Sequence, residues 1–312
     1  MRSTVKVCFV LAIGATAVAC GDDDSSSSGT EVAEDAGACP GDTIPITVSV
    51  NQWGNIAQSI AGDCADITTI VGSGQGDPDD YEPSASDTEE FEGAALVIVN
   101  GAGYDTWAVQ IVESESEQPV VVNAGDVVGA PSDANPHLWY NPDYVFQTAD
   151  AITAALQQVQ PESSDYFEQN SEGWTQSMQP YTDVIAQIQS DYAGTPIGAT
   201  ESIFDYMATA TGLDLITPQD FQDAVAEDSD PPASSVQTFE EQIDQGEIDV
   251  LVYNSQTTGA VPEQMESRAE GQGIPVVGVT ETVPADASSF EEWQVGQLNN
   301  LVDALAQATG QS

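Results

Sequence analysis

Positive charge is almost missing from this 312-residue chain, which sets three Lys and Arg residues and one histidine against 52 Asp and Glu. Arg2 and Lys6 lie within the first nineteen residues. From residue 20 onward Arg268 alone faces every one of the 52 carboxylates, a balance of −51. With no cationic footprint to meet a phosphate backbone, nucleic acid is excluded as a partner. Catalytic signatures are missing too: there is no GxSxG elbow, no P-loop, no HExxH, and no second histidine for an open catalytic metal site. The sequence therefore predicts a protein that is not an enzyme. Cysteine is scarce, and its four copies (Cys8, Cys20, Cys39 and Cys64) have no CxxC spacing, which argues against a zinc ribbon.

What is present is a core. Hydrophobic residues make up 40% of the chain, enough for each of two ordinary domains, so this is a globular protein and not an acidic disordered tail. Self-repulsion on the scale of the net charge destabilises a compact state unless salt screens it, while keeping the surface soluble and monomeric. A monomer suited to high salt is the reading. Carboxylates are so frequent that acidic spacing alone identifies no site.

At the N-terminus, Arg2 and Lys6 precede an apolar run from Val7 to Ala19 that ends Ala17-Val18-Ala19-Cys20. This is the layout of an export signal over 1–19, too short to span a membrane comfortably. It resembles the lipobox of bacterial lipoproteins, which implies that Cys20 becomes the lipid-modified N-terminus; Ala17 stands where that pattern usually has Leu. An ordinary secretory signal cleaved near the same place is the alternative. Residues 20–43, with their aspartate and serine runs, are expected to form a flexible tether. With Cys8 lost and Cys20 lipidated, Cys39 and Cys64 remain as a pair for a disulfide in an oxidising compartment.

Beyond the tether, short Val- and Ile-rich runs alternate with helical stretches. Strands are predicted at 46–50, 67–71, 96–100 and 120–124, and again at 196–199, 213–216, 250–253 and 276–279. Helices are predicted near 55–61, 86–92, 104–112, 203–211, 234–243, 261–272 and 290–308. The alternation implies parallel sheets with helices on both faces. Between the two series, Tyr166, Phe167, Trp174, Met178, Tyr181, Ile185, Ile188 and Tyr192 recur at helical spacing with no strand signal. The expected organisation is thus an N-terminal α/β lobe at 44–160, a backbone helix at 161–193 bent near Gly173 and Pro180, and a C-terminal α/β lobe at 194–312.

Several strings then carry a family resemblance: Asp77-Pro78-Asp79-Asp80-Tyr81-Glu82-Pro83, Val97 to Gly101, Asn135-Pro136-His137-Leu138-Trp139-Tyr140, Thr200-Glu201-Ser202-Ile203-Phe204-Asp205-Tyr206, and Val276 to Glu281. From about Ile44 to Leu305 the chain resembles the zinc and manganese receptors of bacterial ABC importers, the cluster A-I or TroA-like group. The resemblance implies an α/β fold of two Rossmann-like lobes with parallel sheets joined by one long backbone helix. It implies capture of Mn(II) or Zn(II) between the lobes, and delivery to an ABC permease and its ATPase from the outer face of the cytoplasmic membrane.

Carried over residue by residue, the metal ligands fall on Asp79 and His137 from the first lobe and Glu201 and Glu281 from the second. Most relatives have His at the position of Asp79 and Asp at that of Glu281; Asp80, Glu82 and Asp205 are the substitutes. Isolated histidines are more often surface or hydrogen-bonded core residues than ligands, but the string around His137 favours a ligand, with Asn135 or Glu82 to fix its other ring nitrogen. Trp139, Tyr140 and Tyr206 read as packing at the cleft wall. One nitrogen with three carboxylates suits Mn(II) by hardness, whereas affinity order favours Zn(II). The rival readings are a receptor for iron chelates or corrinoids and an adhesion or structural surface lipoprotein with a degenerate metal site.

Overall fold

The computed structural model describes residues 37–73, 81–116, 118–257 and 259–310. Cys20, Asp77, Pro78, Asp79 and Asp80 lie outside them. The first half runs β1 (Ile44–Val50), α1 (Asn51–Ala61), β2 (Ala65–Val71), α2 (Ala85–Phe91), β3 (Leu96–Val99), α3 (Thr106–Ser114), β4 (Val120–Asn123), α4 (Ala124–Val128) and α5 (Pro142–Val159). Its four strands are parallel, in the order β2-β1-β3-β4. Every residue of β3 is buried, as expected of a strand covered on both faces.

Two helices, α6 (Ser164–Ser177) and α7 (Gln179–Tyr192), then lead to the second half. There follow β5 (Pro196–Ala199), α8 (Asp205–Thr211), β6 (Asp214–Leu215), α9 (Gln219–Ala226), α10 (Ala233–Asp244), β7 (Val250–Asn254), α11 (Ala260–Gln272), β8 (Val276–Val279) and α12 (Phe290–Thr309). The second sheet is also parallel and repeats the order, β6-β5-β7-β8. Among the described residues no helix is long and apolar enough to cross a membrane.

The crossover is one rod with a break. Pro180 has no N–H to give to the carbonyl four residues earlier, and the helix is interrupted at Met178, with φ −74° and ψ −2°. The ladder resumes at once, since Met178 N–H bonds Trp174 O and Thr182 N–H bonds Met178 O, each at 3.1 Å. The α6 portion packs on α1 and α5, and the α7 portion on α8 and α12. Ring contacts mark both seats, Phe146 to Trp174 at 5.5 Å and Tyr181 to Phe290 at 6.5 Å.

Three helices, α4, α5 and α9, are absent from the pattern read in sequence, and α5 is the longest of them. In α5, Val145, Thr148, Ala149, Ile152, Ala155 and Leu156 are buried at helical spacing. Asn141 caps it by accepting from the N–H groups of Asp143 and Tyr144, and Pro142 occupies its first turn. Those signals were available, but alanine and threonine make a weak apolar stripe.

A single buried cluster runs through both halves, from Ile44 to Leu305. A smaller one, containing Phe221, Phe239, Leu251 and Met265, fills the far side of the second sheet. β7 divides them by strand alternation: Val250 and Val252 belong to the large cluster and Leu251 to the small one. Near the chain's start, Cys39 and Cys64 form a disulfide with Cα atoms 5.0 Å apart.

Candidate metal centre

Both sheets direct their carboxyl ends toward one place, where open parallel sheets put ligands. Glu201 follows β5 by two residues, Glu281 follows β8 by two, and His137 stands just before the short 3-10 turn Leu138–Tyr140. One ligand atom from each of these three residues lies within 4.8 Å of the other two. All three side chains are buried, with exposures of 3% for His137 and 1% for each glutamate.

The histidine arrives prepared to bind a cation. Asn135 Oδ1 lies 2.8 Å from His137 Nδ1 and also accepts the His137 backbone N–H at 3.0 Å, while Asn135 Nδ2 donates to Ser202 O at 2.7 Å. The amide is thus oriented with its oxygen toward the ring. Nδ1 must carry the proton, and Nε2 keeps its lone pair. Burial pushes the imidazole pKa down to about 3, so the ring stays neutral. Upstream, Asn100 holds the loop by donating to Pro136 O at 2.9 Å and accepting from Trp53 Nε1 at 2.9 Å. Asp105 supports that corner by accepting the N–H groups of Asn100 and Gly101, and desolvation raises its pKa. Gly101 has φ +71° and meets the Asn123 side chain where a Cβ would sit, so the turn there needs glycine.

The carboxylates are held by neutral donors. Tyr104 donates to Glu281 Oε2 at 2.6 Å, and Asn254 Nδ2 donates to Glu281 Oε1 at 2.8 Å and to Glu201 Oε1. Gln256 Oε1 accepts the backbone N–H groups of Glu281 and Thr282 at 2.7 and 2.9 Å, fixing the chain that presents Glu281. Tyr104, Trp139 and His137 form an aromatic wall with centroid separations of 5.2 to 6.4 Å. Tyr140 reaches across to Thr280 O at 2.8 Å, and Tyr206 to Asn135 O at 2.9 Å, so these aromatics brace the site from outside.

Among the described residues the one Lys or Arg side chain lies away from the two carboxylates. Arg268, the one basic residue after Lys6, is paired with Asp244 at 2.7 Å and Glu240 at 3.4 Å, between α10 and α11. Two full charges no more than 4.8 Å apart repel by at least about 3.5 kcal/mol at an effective dielectric near 20. Taking two carboxylates out of water is costly. The arrangement relieves that cost by taking up a cation or a proton, and a neutral imidazole beside two carboxylates is a donor set for a divalent transition metal.

Of the residues singled out in the sequence, the structure brings His137, Glu201 and Glu281 together. Asp79 and Asp80 lie outside the described residues. Glu82 is exposed, and neither it nor Asp205 joins the cluster. Asp205 is partly buried, its pKa raised to about 6 chiefly by desolvation. Asn135, not Glu82, contacts the histidine ring. Sequence reasoning missed Asn254 and Tyr104, because a lone Asn at a strand end and a Tyr in a loop carry no metal signature of their own.

Comparison with known proteins agrees with this geometry. The family described as zinc-uptake complex component A, periplasmic (ZnuA) matches residues 46–304. The manganese-binding lipoprotein MntA of Halalkalibacterium halodurans is 27% identical over 222 residues, which is 68% of this chain and 70% of that protein. The manganese ABC transporter substrate-binding lipoprotein PsaA of Streptococcus pneumoniae is 22% identical across 97% of this chain and 98% of its own. Among solved structures, the periplasmic zinc-binding protein TroA of Treponema pallidum superposes with a TM-score of 0.70 at 19% identity, covering 86% of this chain and 99% of that one.

Proposed function

The chain belongs to the ZnuA family of periplasmic zinc-uptake components, and from that premise we propose that it is the extracytoplasmic receptor of an ABC importer, capturing Mn(II) or Zn(II) at His137, Glu201 and Glu281. It performs no catalysis. The observation that carries the reading is the convergence of two buried carboxylates on a buried neutral imidazole.

Asp79 is the fourth ligand in this reading. In its support, Ser73, the last described residue before it, donates to Val283 O at 2.6 Å, two residues beyond Glu281. A third carboxylate oxygen would complete a four-donor set of one nitrogen and three carboxylates. Residues 44–160 and 194–312 act as two lobes, and the rod of α6 and α7 is the hinge. The support is burial: an ion reaches side chains with exposures of 1–3% only if the elements over them part. Cargo then passes to the permease, driven by the cytoplasmic ATPase.

Lipid on Cys20 would hold the receptor at the outer face of the membrane, on the strength of the Ala17-Val18-Ala19-Cys20 string. High salt as the working medium rests on the charge balance. Three donors this close enclose an ion and leave no room for an iron chelate or corrinoid among them. Their convergence also favours the receptor over an adhesin that has lost its metal.

The test is metal-dependent stability and stoichiometry in the metal-stripped protein at high salt. One equivalent of Mn(II) or Zn(II) should bind, and at 100 times Kd it should raise folding stability by about 2.7 kcal/mol. His137→Ala should abolish both effects. Equal metal content and equal stabilisation in the wild type and His137→Ala would remove the assignment.

A further inference from the structure

Asn254 ends β7, which lies between β5 and β8, the strands that lead to the two glutamates. Register makes the placement specific. Ala199 pairs with Val252, so Glu201, two residues on, comes level with Asn254, and Val279 pairs with Asn254 itself on the other side. A side chain at the end of the central strand can reach both carboxylates, and this one does. Its orientation is locked, because Asn254 Oδ1 accepts the Gln256 N–H at 3.0 Å and its backbone N–H bonds Thr200 Oγ1 at 3.2 Å. The nitrogen is left to face Glu201 Oε1, Glu281 Oε1 and Thr257 Oγ1. The residue is fully buried, so no solvent competes for these bonds.

We propose that Asn254 sets the preference of the site between zinc and manganese, by engaging Oε1 of both glutamates: Glu281, whose Oε2 already accepts from Tyr104, then carries a hydrogen bond on each oxygen, and Glu201 carries one on the oxygen that faces Asn254. The proposal rests on the reading of the two glutamates as ligands. A carboxylate oxygen that accepts a strong hydrogen bond has spent a lone pair and lost basicity, which disfavours bidentate engagement by that carboxylate. The restriction keeps the donor count low and favours four-coordinate Zn(II). Manganese gains from more oxygen donors around it. Asn254 therefore opposes the hardness of the ligand set, which on its own favours manganese. Asn254 is a positioning residue and touches no metal.

The experiment compares Kd for Mn(II) and for Zn(II), by chelator competition at fixed high salt, in the full protein and in Asn254→Leu and Asn254→Ser. Leucine has a similar volume and no donor; serine keeps one donor. Asn254→Leu should lower the ratio Kd(Mn)/Kd(Zn) by about tenfold, within the usual reach of groups that orient metal ligands, and Asn254→Ser should shift it the same way by less. Should the leucine variant fail to fold, the direction of the serine shift decides. An unchanged ratio, a shift toward zinc, or equal weakening for both ions would overturn the proposal, the last outcome leaving Asn254 a purely structural residue. If the wild type binds neither ion, it is the receptor reading itself that fails.

Discussion

Tyr104 donates its phenol proton to Glu281 Oε2 at 2.6 Å across 177 positions of sequence, tying the loop after β3 to the loop after β8. The bond joins the two halves at the candidate metal centre and gives a buried carboxylate a neutral donor. Tyr104→Phe keeps the ring against Trp139 and removes only that donor. The metal-free protein should lose about 1.5–3 kcal/mol, the usual value of a hydrogen bond to a charged group. Saturating Zn(II) or Mn(II) should recover part of the loss, because the cation takes over stabilisation of the carboxylate. Urea unfolding with and without metal measures both quantities; an unperturbed metal-free midpoint would contradict the role given to the phenol.

Asn135 holds three groups at once: the His137 ring, the His137 backbone N–H, and Ser202 O beside Glu201. Replacing it with leucine frees the imidazole to rotate and to change tautomer. Metal affinity should fall about 10- to 100-fold, as is typical when the partner of a ligating histidine is removed. Titration of a folded Asn135→Leu protein checks this, with far-UV circular dichroism as the control for folding. Unaltered affinity would mean that packing against Trp139 alone orients the ring.

The division between what could and could not be read in the sequence follows from chemistry. His137, Glu201 and Glu281 were legible through the family resemblance that their strings carry, since acidic spacing by itself identifies no site in so acidic a chain, and the alternation of strands implied two parallel sheets. Asn254 and Tyr104 were not, since their importance comes from register and cross-half contact, neither of which leaves a local pattern. The linking helix was visible from its apolar period and Pro180, although the sequence could not show that Met178 would interrupt the ladder for so short a span. α5 was overlooked because its buried stripe relies on Ala149, Ala155 and Thr148, residues with little hydrophobic signal.

The buried histidine makes metal-free stability depend on pH with a definite sign. In the unfolded chain its pKa is near the ordinary 6.5, whereas burial lowers it to about 3 in the folded protein. Between those values the unfolded state binds the extra proton, so this contribution is fully present above pH 6.5 and is lost as pH falls toward 3. A His137→Gln protein should show a shallower fall in stability over the same window. The check is the urea midpoint of both proteins, metal-free, at several pH values below 6.5. Parallel curves would mean that the histidine is not the group responsible.

Salt should act on the fold far more than on the site. Beyond residue 19 the chain carries one arginine against 52 carboxylates, and Arg268 is already committed to Asp244 and Glu240. The remaining acids repel one another through solvent, over a range that shrinks from about 10 Å at 0.1 M to about 3 Å at 1 M ionic strength. Thermal midpoints should therefore climb steeply with KCl up to about 1 M and then flatten, because shorter screening lengths reach no further pairs. Potassium sulfate at matched ionic strength should give a similar rise if screening is the cause, whereas a much larger rise would point to exclusion of sulfate from the surface. The three donors at the metal centre are shielded from bulk ions by their burial, so the dissociation rate of the bound metal should change little over the same series, while association slows as long-range attraction is screened. A salt-independent midpoint would show that the acidic surface is not what limits stability.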